Sequence, residues 1–352
     1  MNILITGGCG FVGSNLAIEL KNQGHQVTCL DNLSRKGSEL ILQRILEYGC
    51  NFVHGDIRNT EDFLKLKDDF DLMIECSAEP SVLSGAKGNE AYHLINNNLF
   101  GLVHCLEFCR IHQVPIIFLS TSRVYPYDRI DSLHYIEEET RFEVADNQEY
   151  VNQNGVSVDF PLNGIRSLYG ATKLAAEFLL KEYSINYNVP SIINRFGVIA
   201  GPWQLGKVDQ GVFTYWLVNH YFKKGLKYIG YGGKGKQVRD LLHIDDAISL
   251  ISIQIKQISK FRGEIFNAGG SDFASLSLFE TTKLCQEITG NEVTVTPELT
   301  NRHADMIWYK SDNTLTKKNF NWKPSKDSKT ILSDIFNWLH DHESAFSKIF
   351  NV

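Results

Sequence analysis

Two side chains four residues apart could carry out acid–base chemistry. They are Tyr169 and Lys173, in the segment Arg166–Glu177. Residues at i and i+4 share one face of a helix, so a helix here would place the phenol beside the ammonium. A neighbouring positive charge favours the phenolate, so we expect Lys173 to lower the pKa of Tyr169. The spacing therefore predicts Tyr169 as a general base and Lys173 as its partner.

A hydroxyl group would complete this set. Thr121 lies just past the end of an apolar run, in the segment Leu119–Tyr125. From there it could share the reacting oxygen of a substrate with Tyr169 and shuttle its proton. Ser120 and Ser122 remain alternatives for this role. We therefore predict Thr121, Tyr169 and Lys173 as the catalytic residues.

A glycine-rich turn near the start of the chain predicts what these residues act with. The apolar run Asn2–Thr6 ends in a turn, and a helical pattern follows it. A strand, a tight turn and a helix in this order direct a helix N-terminus at a phosphate. Side chains at positions 7 or 10 would keep a pyrophosphate from the backbone, and one at position 13 would push the helix off the sheet. The predicted cofactor-binding residues of this turn are Gly7, Gly10, Phe11, Val12 and Gly13.

Acidic residues at the ends of the next two apolar runs predict the rest of the cofactor site. A carboxylate at Asp31 would bind both ribose hydroxyls of an adenosine and repel a 2′-phosphate, which favours NAD over NADP. Arg35 and Lys36 follow closely and weaken that preference. Asp56 could reach the adenine amino group while Ile57 packs on the ring. A turn-forming role for Asp56 is an equal alternative.

The alternation of strand and helix patterns over residues 1–120 predicts an α/β fold with a doubly wound parallel sheet. The predicted NAD-binding domain comprises residues 1–198 and 240–268, and a smaller, mostly C-terminal substrate lobe comprises 199–239 and 269–352. Ser77, Glu79 and Ser81 leave the carboxyl end of a predicted strand, the edge that holds ligands in such sheets.

Two other segments break the strand and helix alternation. The irregular stretch 126–165 predicts a lid or binding loop, and its acidic residues 137–139 predict a solvated face. The basic, glycine-rich segment Gly232–Asp240 predicts a flexible loop that suits a diphosphate.

Composition limits the class of protein. The chain has 352 residues and a net charge of −6, which argues against nucleic-acid binding. Its seven cysteines lack metal-ligand spacing, so we expect packed, reduced thiols, no metal and a cytoplasmic protein. No apolar stretch reaches membrane-spanning length, so we expect no membrane association.

Taken together, these motifs resemble the extended short-chain dehydrogenase/reductase family, which contains the nucleotide-sugar epimerases and dehydratases. The resemblance rests on the glycine turn, Asp31, Thr121, the Tyr169–Lys173 pair and the segment Gly235–Asp240. It implies that NAD is bound as described above, with Asn32 beside Asp31 at the ribose and Lys173 also a ribose ligand. It further implies that Arg239 and Arg302 bind the diphosphate of a CDP- or UDP-linked sugar, with Tyr309 near the nucleotide. The residues predicted to bind substrate are Glu79, Ser81, Arg123, Asn194, Gln210, Arg239, Arg302 and Tyr309.

Within that family, residues 201–211 and 235–240 are similar to the branch that epimerises CDP-linked sugars at C2. Glu79 and Arg123 depart from that pattern and add charge beside the sugar pocket. A UDP-sugar 4-epimerase is the nearest alternative, followed by a dehydratase or reductase and by a non-catalytic NAD-binding protein. The dehydratases of the family carry an Asp-Glu pair after the threonine, where this chain has Ser122 and Arg123.

The resemblance also predicts the oligomeric state. Helices near 89–112 and 166–188 carry more apolar surface than one sheet face needs, and relatives pair through such helices. We therefore expect a homodimer or a dimer of dimers.

Overall fold

The computed structural model describes residues 1–66, 69–85, 90–146, 148–205 and 211–344. The strands are β1 (Asn2–Thr6), β2 (Gln26–Asp31), β3 (Asn51–His54), β4 (Leu72–Glu75), β5 (Ile116–Thr121), β6 (Tyr135–Glu137), β7 (Phe142–Val144), β8 (Val151–Asn152), β9 (Gly155–Val156), β10 (Ser191–Phe196), β11 (Val198–Ala200), β12 (Leu226–Ile229), β13 (Val238–His243), β14 (Arg262–Ala268), β15 (Ser275–Ser277), β16 (Val295–Glu298) and β17 (Trp308–Tyr309).

The helices are α1 (Phe11–Asn22), α2 (Ser38–Glu47), α3 (Thr60–Phe63), α4 (Glu90–Ile95), α5 (Gly101–His112), α6 (Tyr127–Asp131), α7 (Leu168–Asn186), α8 (Val212–Tyr221), α9 (Ile244–Ile255), α10 (Leu278–Thr289), α11 (Thr314–Phe320) and α12 (Ser328–Asp341). A π-helical turn, Asn96–Phe100, joins α4 to α5. In the described ranges, no helix has both the length and the apolar character that crossing a membrane requires.

The first of two compact units comprises residues 1–124, 168–195 and 248–266. It is built on a seven-stranded sheet of order β14-β10-β5-β4-β1-β2-β3. β1 pairs in parallel with β2 and β4, and β4 pairs in parallel with β5. The predicted α/β doubly wound sheet is thereby confirmed.

Apolar burial explains why these strands lie at the centre of the unit. β1 and β4 are short runs in which nearly every side chain is buried, as in strands covered by helices on both faces. Residues of β1, β4 and β5 form one core cluster with residues of α5 and α7. The carboxyl ends of β1, β4 and β5 are adjacent in the sheet order, so the residues at these ends meet at one edge.

The second unit comprises residues 125–167, 196–247 and 267–352. It contains a four-stranded sheet in which β13 pairs with β11, β15 and β17, and three two-stranded sheets. α8, α10 and α12 pack against one another around a second apolar core. The segment 126–165 is less irregular than expected, because it forms α6 and two antiparallel strand pairs, β6–β7 and β8–β9.

The units differ from the predicted domains at four places. Residues 125–167, 196–198, 240–247 and 267–268 group with the second unit, whereas the sequence-based division assigned them to the NAD-binding domain. For residues 240–247 the reason is strand pairing, since β13 joins the four-stranded sheet rather than the seven-stranded one.

Candidate active site

The candidate site of the first unit is built on the ends of three neighbouring strands. Thr6 ends β1, Glu75 ends β4 and Thr121 ends β5. Thr6 lies opposite Glu75 in the register, and Glu75 lies opposite Phe118. α7 packs against β5 and supplies further side chains at this edge.

Tyr169 and Thr121 come together as predicted. The Tyr169 ring is 8% exposed, and its phenol hydrogen-bonds with the Thr121 hydroxyl. Burial raises the pKa of Tyr169 to about 12, while the Thr121 hydrogen bond and the charge of Arg123 act to lower it. The structure thus supplies a buried phenol with a hydroxyl partner.

Lys173 lies at the same edge as Tyr169. Its Nζ donates to the carbonyl oxygen of Leu119 at 2.9 Å and lies 4.4 Å from the centre of the Phe118 ring. The same nitrogen is 3.7 Å from Oε2 of Glu75. Burial dominates the pKa of the Tyr169 phenol and Glu75 also raises it, so the lowering expected from Lys173 stays a prediction.

The structure distinguishes Thr121 from its neighbouring serines. Ser120 Oγ donates to Glu177 Oε1 at 2.5 Å, and Glu177 is also ion-paired to Arg195 at 2.7 Å. Ser120 is therefore engaged away from Tyr169, and Ser122 is buried at 8% exposure. Sequence reasoning missed the Glu177–Arg195 pair. The available signal was spacing, since Glu177 lies four residues after Lys173 and shares its helix face.

The glycine turn fits a pyrophosphate. The N-cap of α1 is Gly10, so no side chain caps the helix, and the first turn carries no acidic residue. A Cβ at Gly10 would meet only the Gly7 carbonyl oxygen, at 3.1 Å, which leaves the space before the first turn open. Phe11 and Val12, both half-buried, form the first turn as predicted.

Packing requires glycine at positions 7 and 13 independently of any ligand. A Cβ at Gly13 would lie 2.3 Å from the Gly7 carbonyl oxygen, which agrees with the predicted close packing of α1. Gly7 has φ +65°, and a Cβ there would meet the backbone of Cys76 and Ser77 at 2.9 Å. Gly7 is therefore required by backbone conformation and packing at the end of β4. Ser77 itself donates its N–H to Glu75 Oε1 at 2.8 Å.

Asp31 is placed to hold both the turn and a ribose. Its carboxylate accepts the N–H of Cys9 at 3.0 Å and that of Leu33 at 2.8 Å. Burial raises the pKa of this carboxyl, and the two N–H donors oppose that rise. Each carboxylate oxygen retains further acceptor capacity, which ribose hydroxyls could use.

Asp56 and Ile57 are already engaged by the protein. Asp56 is ion-paired with Arg58 at 2.5 Å and accepts the Asn32 amide at 2.9 Å, which holds the pKa of the carboxyl well below its usual range. Ile57 is 6% exposed and belongs to the core cluster. These contacts give Asp56 the turn-forming role that was one of its two alternatives, and adenine contact by either residue stays a prediction.

The segment after β4 is fixed by an amide. Asn98 accepts the N–H of Glu79 at 2.8 Å and donates to the carbonyl oxygen of Glu79 at 3.0 Å. The Glu79 carboxylate accepts the N–H of Ser81 at 3.3 Å. Glu79 and Arg123 both act electrostatically on Tyr169, with opposite signs.

Asn194 is engaged inside the first unit. It is fully buried, and its amide makes a reciprocal pair with Gln254, with both hydrogen bonds at 2.8 Å. These bonds give Asn194 a structural role, and its contact with a substrate stays a prediction.

In the second unit, the structure brings Arg239 next to the segment that contains Arg302. Arg239 donates to Asp305 Oδ1 at 2.6 Å and to the carbonyl oxygen of Met306 at 2.5 Å. Asp305 in turn donates its N–H to the carbonyl oxygen of Arg302 at 3.3 Å. The two arginines predicted to bind a diphosphate thus lie on connected backbone segments.

The basic segment 232–240 is not the flexible cationic loop that was expected. Lys234 and Lys236 both donate to Glu137 at 2.9 Å, and these contacts lower the pKa of Glu137 to about 2. The end of the segment is part of β13. Of the acidic residues 137–139, Glu137 therefore pairs with these lysines rather than only facing solvent.

Tyr309 lies in the core of the second unit. Its ring is 1% exposed and stacks on Tyr125 with centroids 5.9 Å apart. Its contact with a nucleotide stays a prediction. Gln210 lies outside the described residues.

All seven cysteines are free thiols, and all but Cys76 are buried. The described parts of the chain contain no group of histidine, cysteine and carboxylate side chains that could hold a metal ion.

Comparison with known proteins agrees with this geometry. The model of the NAD-dependent epimerase/dehydratase family matches residues 3–269. The chain is 32% identical to CDP-paratose 2-epimerase of Salmonella typhi, over 96% of this chain and 99% of that protein. It is 30% identical to dTDP-D-glucose 4,6-dehydratase of Dictyostelium discoideum, over 80% of this chain and 61% of that protein.

A solved structure has the same fold. It is UDP-glucuronic acid 4-epimerase from Bacillus cereus in complex with UDP-glucuronic acid and NAD, which superposes with a TM-score of 0.79. The two chains are 24% identical, and the match covers 97% of this chain and 99% of that one.

Proposed function

The chain belongs to the NAD-dependent epimerase/dehydratase family, and from that premise we propose that it is a nucleotide-sugar epimerase. The observation that carries the proposal is the buried hydrogen bond between Thr121 and Tyr169, with Lys173 on the next turn of α7. A phenol with a hydroxyl partner can take a proton from a sugar hydroxyl and give it back.

The roles of the side chains follow from this arrangement. When bound, NAD would supply the reversible hydride transfer at the sugar carbon, which is chemistry that side chains cannot supply. Tyr169 removes the proton of the hydroxyl on that carbon, through Thr121, so that a ketone forms. After the ketone has turned its other face, Tyr169 returns the proton to the oxygen. Lys173 has donors beyond the one used by Leu119, and these would orient the cofactor ribose.

The cofactor would lie along the glycine turn. The N–H groups of the first turn of α1 would bind the pyrophosphate, and Asp31 with Asn32 would bind the adenosine ribose. Arg239 and Arg302 of the second unit would bind the substrate diphosphate, for which Arg239 must exchange its Asp305 partner.

For the substrate, we favour a CDP-linked sugar epimerised at C2. The relation to CDP-paratose 2-epimerase over nearly the whole chain supports this choice. A UDP-sugar 4-epimerase is the second candidate, favoured by the fold shared with a UDP-glucuronic acid 4-epimerase. Dehydration is disfavoured because positions 122 and 123 hold Ser and Arg rather than carboxylic acids.

The test is turnover of a panel of CDP- and UDP-sugars by the purified protein, followed by NMR of the sugar protons. We expect a new epimer without consumption of added nicotinamide, whereas a reductase would consume it and a dehydratase would release water. Tyr169→Phe should abolish turnover and retain bound NAD.

The matched control is Tyr183→Phe, on the same helix, whose hydroxyl donates to Glu107 at 2.6 Å. It should turn over like the unmodified protein. If Tyr169→Phe also kept full turnover, Tyr169 would lose its assigned role. If no sugar reacted, the non-catalytic alternative would stand.

A further inference from the structure

A buried carboxylate beside Lys173 has no role in the reaction described above. The side chains of Glu75 and Lys173 are 2% and 3% exposed, and Oε2 of Glu75 lies 3.7 Å from Nζ of Lys173. Oε1 accepts the N–H of Ser77 at 2.8 Å. The described part of the chain provides no hydrogen bond to Oε2, so its main contact is the charge of Lys173.

Because Glu75 and Lys173 are both buried, each needs the charge of the other to remain ionised. An unpaired charge in the protein interior costs several kcal/mol, so a buried carboxylate or ammonium without a partner becomes neutral. At 3.7 Å the opposite charges compensate each other. Seen from a third group nearby, such a pair has little net charge.

We propose that Glu75 is a positioning residue that holds Lys173 at the strand edge and cancels the field of its ammonium at Tyr169. The phenol is then not activated by the lysine alone. This inference rests on the proposed role of Tyr169 as the base. It makes formation of the phenolate depend on a further positive charge, which the oxidised nicotinamide would bring to the site.

The other groups that face Tyr169 are consistent with this assignment. Thr121 and Arg123 lower the pKa of the phenol, whereas Glu75, Glu79 and burial raise it to about 12. A lysine acting unopposed would instead favour the phenolate. Because removal of the hydroxyl proton needs the phenolate, this arrangement makes the base depend on the charge of the bound cofactor.

The test is the pKa of Tyr169 in the protein as purified, measured by NMR with ¹³C-labelled tyrosine and assigned with Tyr169→Phe. Glu75→Gln keeps the size of the side chain and removes its charge, so the ammonium is no longer cancelled. We expect the pKa of Tyr169 to fall by about 1 unit or more. Glu107→Gln makes the same charge change on the outer side of α5 and should not move it.

Combination with Lys173→Met makes the test specific to the pair. Without the lysine, Glu75 takes up a proton because it is buried, so Glu75→Gln should then leave the pKa of Tyr169 unchanged. Lys173→Met alone should also change it little, since it removes a neutralised charge. This second expectation can be tested even if Glu75→Gln does not fold.

Two results would overturn the proposal. One is a Tyr169 pKa that does not fall in Glu75→Gln. The other is a rise of about 1 unit in Lys173→Met, as expected for a lysine that acts unopposed. The titration needs no substrate, so its outcome does not depend on whether any sugar is epimerised.

Discussion

Thr121 and Ser120 are adjacent hydroxyls at the end of β5, yet they contact different partners. Thr121 hydrogen-bonds with Tyr169, whereas Ser120 donates to Glu177. The side chains of successive residues in a strand point to opposite faces, which explains why only one of the two can reach the phenol. The two residues therefore provide a comparison between catalysis and stability within one strand.

We predict that Thr121→Ala lowers kcat by about 10²- to 10⁴-fold, as expected for loss of a group that moves a proton. The Thr121 hydrogen bond lowers the pKa of Tyr169, so its loss should raise that pKa. Since the phenolate is the active form, the acidic limb of the pH–rate profile should move to higher pH. Thr121→Ser should restore both kcat and the profile.

Ser120→Ala is the matched control for that variant. It leaves the buried Glu177–Arg195 pair one donor short, so it should lower the free energy of unfolding by about 1–3 kcal/mol in urea denaturation. Its kcat and pH profile should stay those of the unmodified protein. A profile that moved with Ser120→Ala and not with Thr121→Ala would reverse the assignment.

Among the residues of the site, short-range spacing predicted the contacts that depend on short-range spacing, but not the contacts between distant elements. Tyr169 and Lys173 share a helix face, and Thr121 follows a strand, so their meeting could be predicted from the sequence. Glu75 reaches Lys173 from another element, and the sequence alone does not show that β4 lies beside β5. The contact between Glu75 and Lys173 joins residues 98 positions apart in the sequence, so local spacing could not reveal it.

The strand–turn–helix element β1–α1 allows two functions of glycine to be separated. A Cβ at Gly13 would collide with the Gly7 carbonyl oxygen at 2.3 Å, whereas one at Gly10 would approach that atom only to 3.1 Å. Gly13 is thus needed for α1 to pack on the turn. Gly10 is needed chiefly to leave space before the helix N-terminus.

We predict that Gly13→Ala lowers the free energy of unfolding by about 1–3 kcal/mol, since α1 must shift, and that it also abolishes NAD retention. Gly10→Ala should weaken NAD binding with a much smaller loss of stability. Calorimetric titration with NAD and thermal denaturation of both variants measure the two effects. Gly225→Ala, where a Cβ meets its nearest atom at 3.5 Å, is the control for the substitution itself.

If Gly10→Ala and Gly13→Ala lost stability equally, the distinction between packing and ligand approach would fail. If Gly10→Ala bound NAD normally, the pyrophosphate would not lie before α1.

Elements of the first unit were largely predictable, and some in the second were not. The alternation of strand and helix patterns over residues 1–120 predicted the parallel sheet that β1 to β5 form. α8 was missed because seven of its ten residues are buried, so it lacks the polar face that marks a surface helix. The sequence predicted a flexible cationic loop around Lys234 and Lys236 because their partner, Glu137, lies about a hundred residues earlier.

At the scale of the whole molecule, each unit is assembled from three separated stretches of the chain. Composition and periodicity do not show which stretches of the chain belong to which unit, because this depends on pairing between distant strands. This is why the predicted domain bounds and the units differ at 125–167, 196–198, 240–247 and 267–268, while the fold class was correct.

A surface of the first unit supports the expected dimer. α7 packs beside α4 and α5, and apolar side chains on these helices remain exposed. Tyr92, Ile111, Phe178 and Ile185 are between 59% and 69% exposed. Phe178 and Ile185 are seven residues apart and share one face of α7. We propose that this face, the α4–α5–α7 surface, binds the same surface of a second copy.

We predict that the unmodified protein is a dimer by light scattering at micromolar concentration and that Phe178→Glu combined with Ile185→Glu makes it monomeric. Burying four charges, two from each copy, at the centre of an apolar interface should cost on the order of 2 kcal/mol each, which raises the dissociation constant by roughly six orders of magnitude. Leu64→Glu is the control, because Leu64 is 81% exposed outside these helices, and it should leave the dimer intact.

A monomeric unmodified protein would contradict the interface, as would a Phe178/Ile185 double variant that remained dimeric. Because Tyr169 and Lys173 lie on the buried face of α7, the monomeric variant should retain NAD, and loss of NAD on dissociation would show that the partner supports the site.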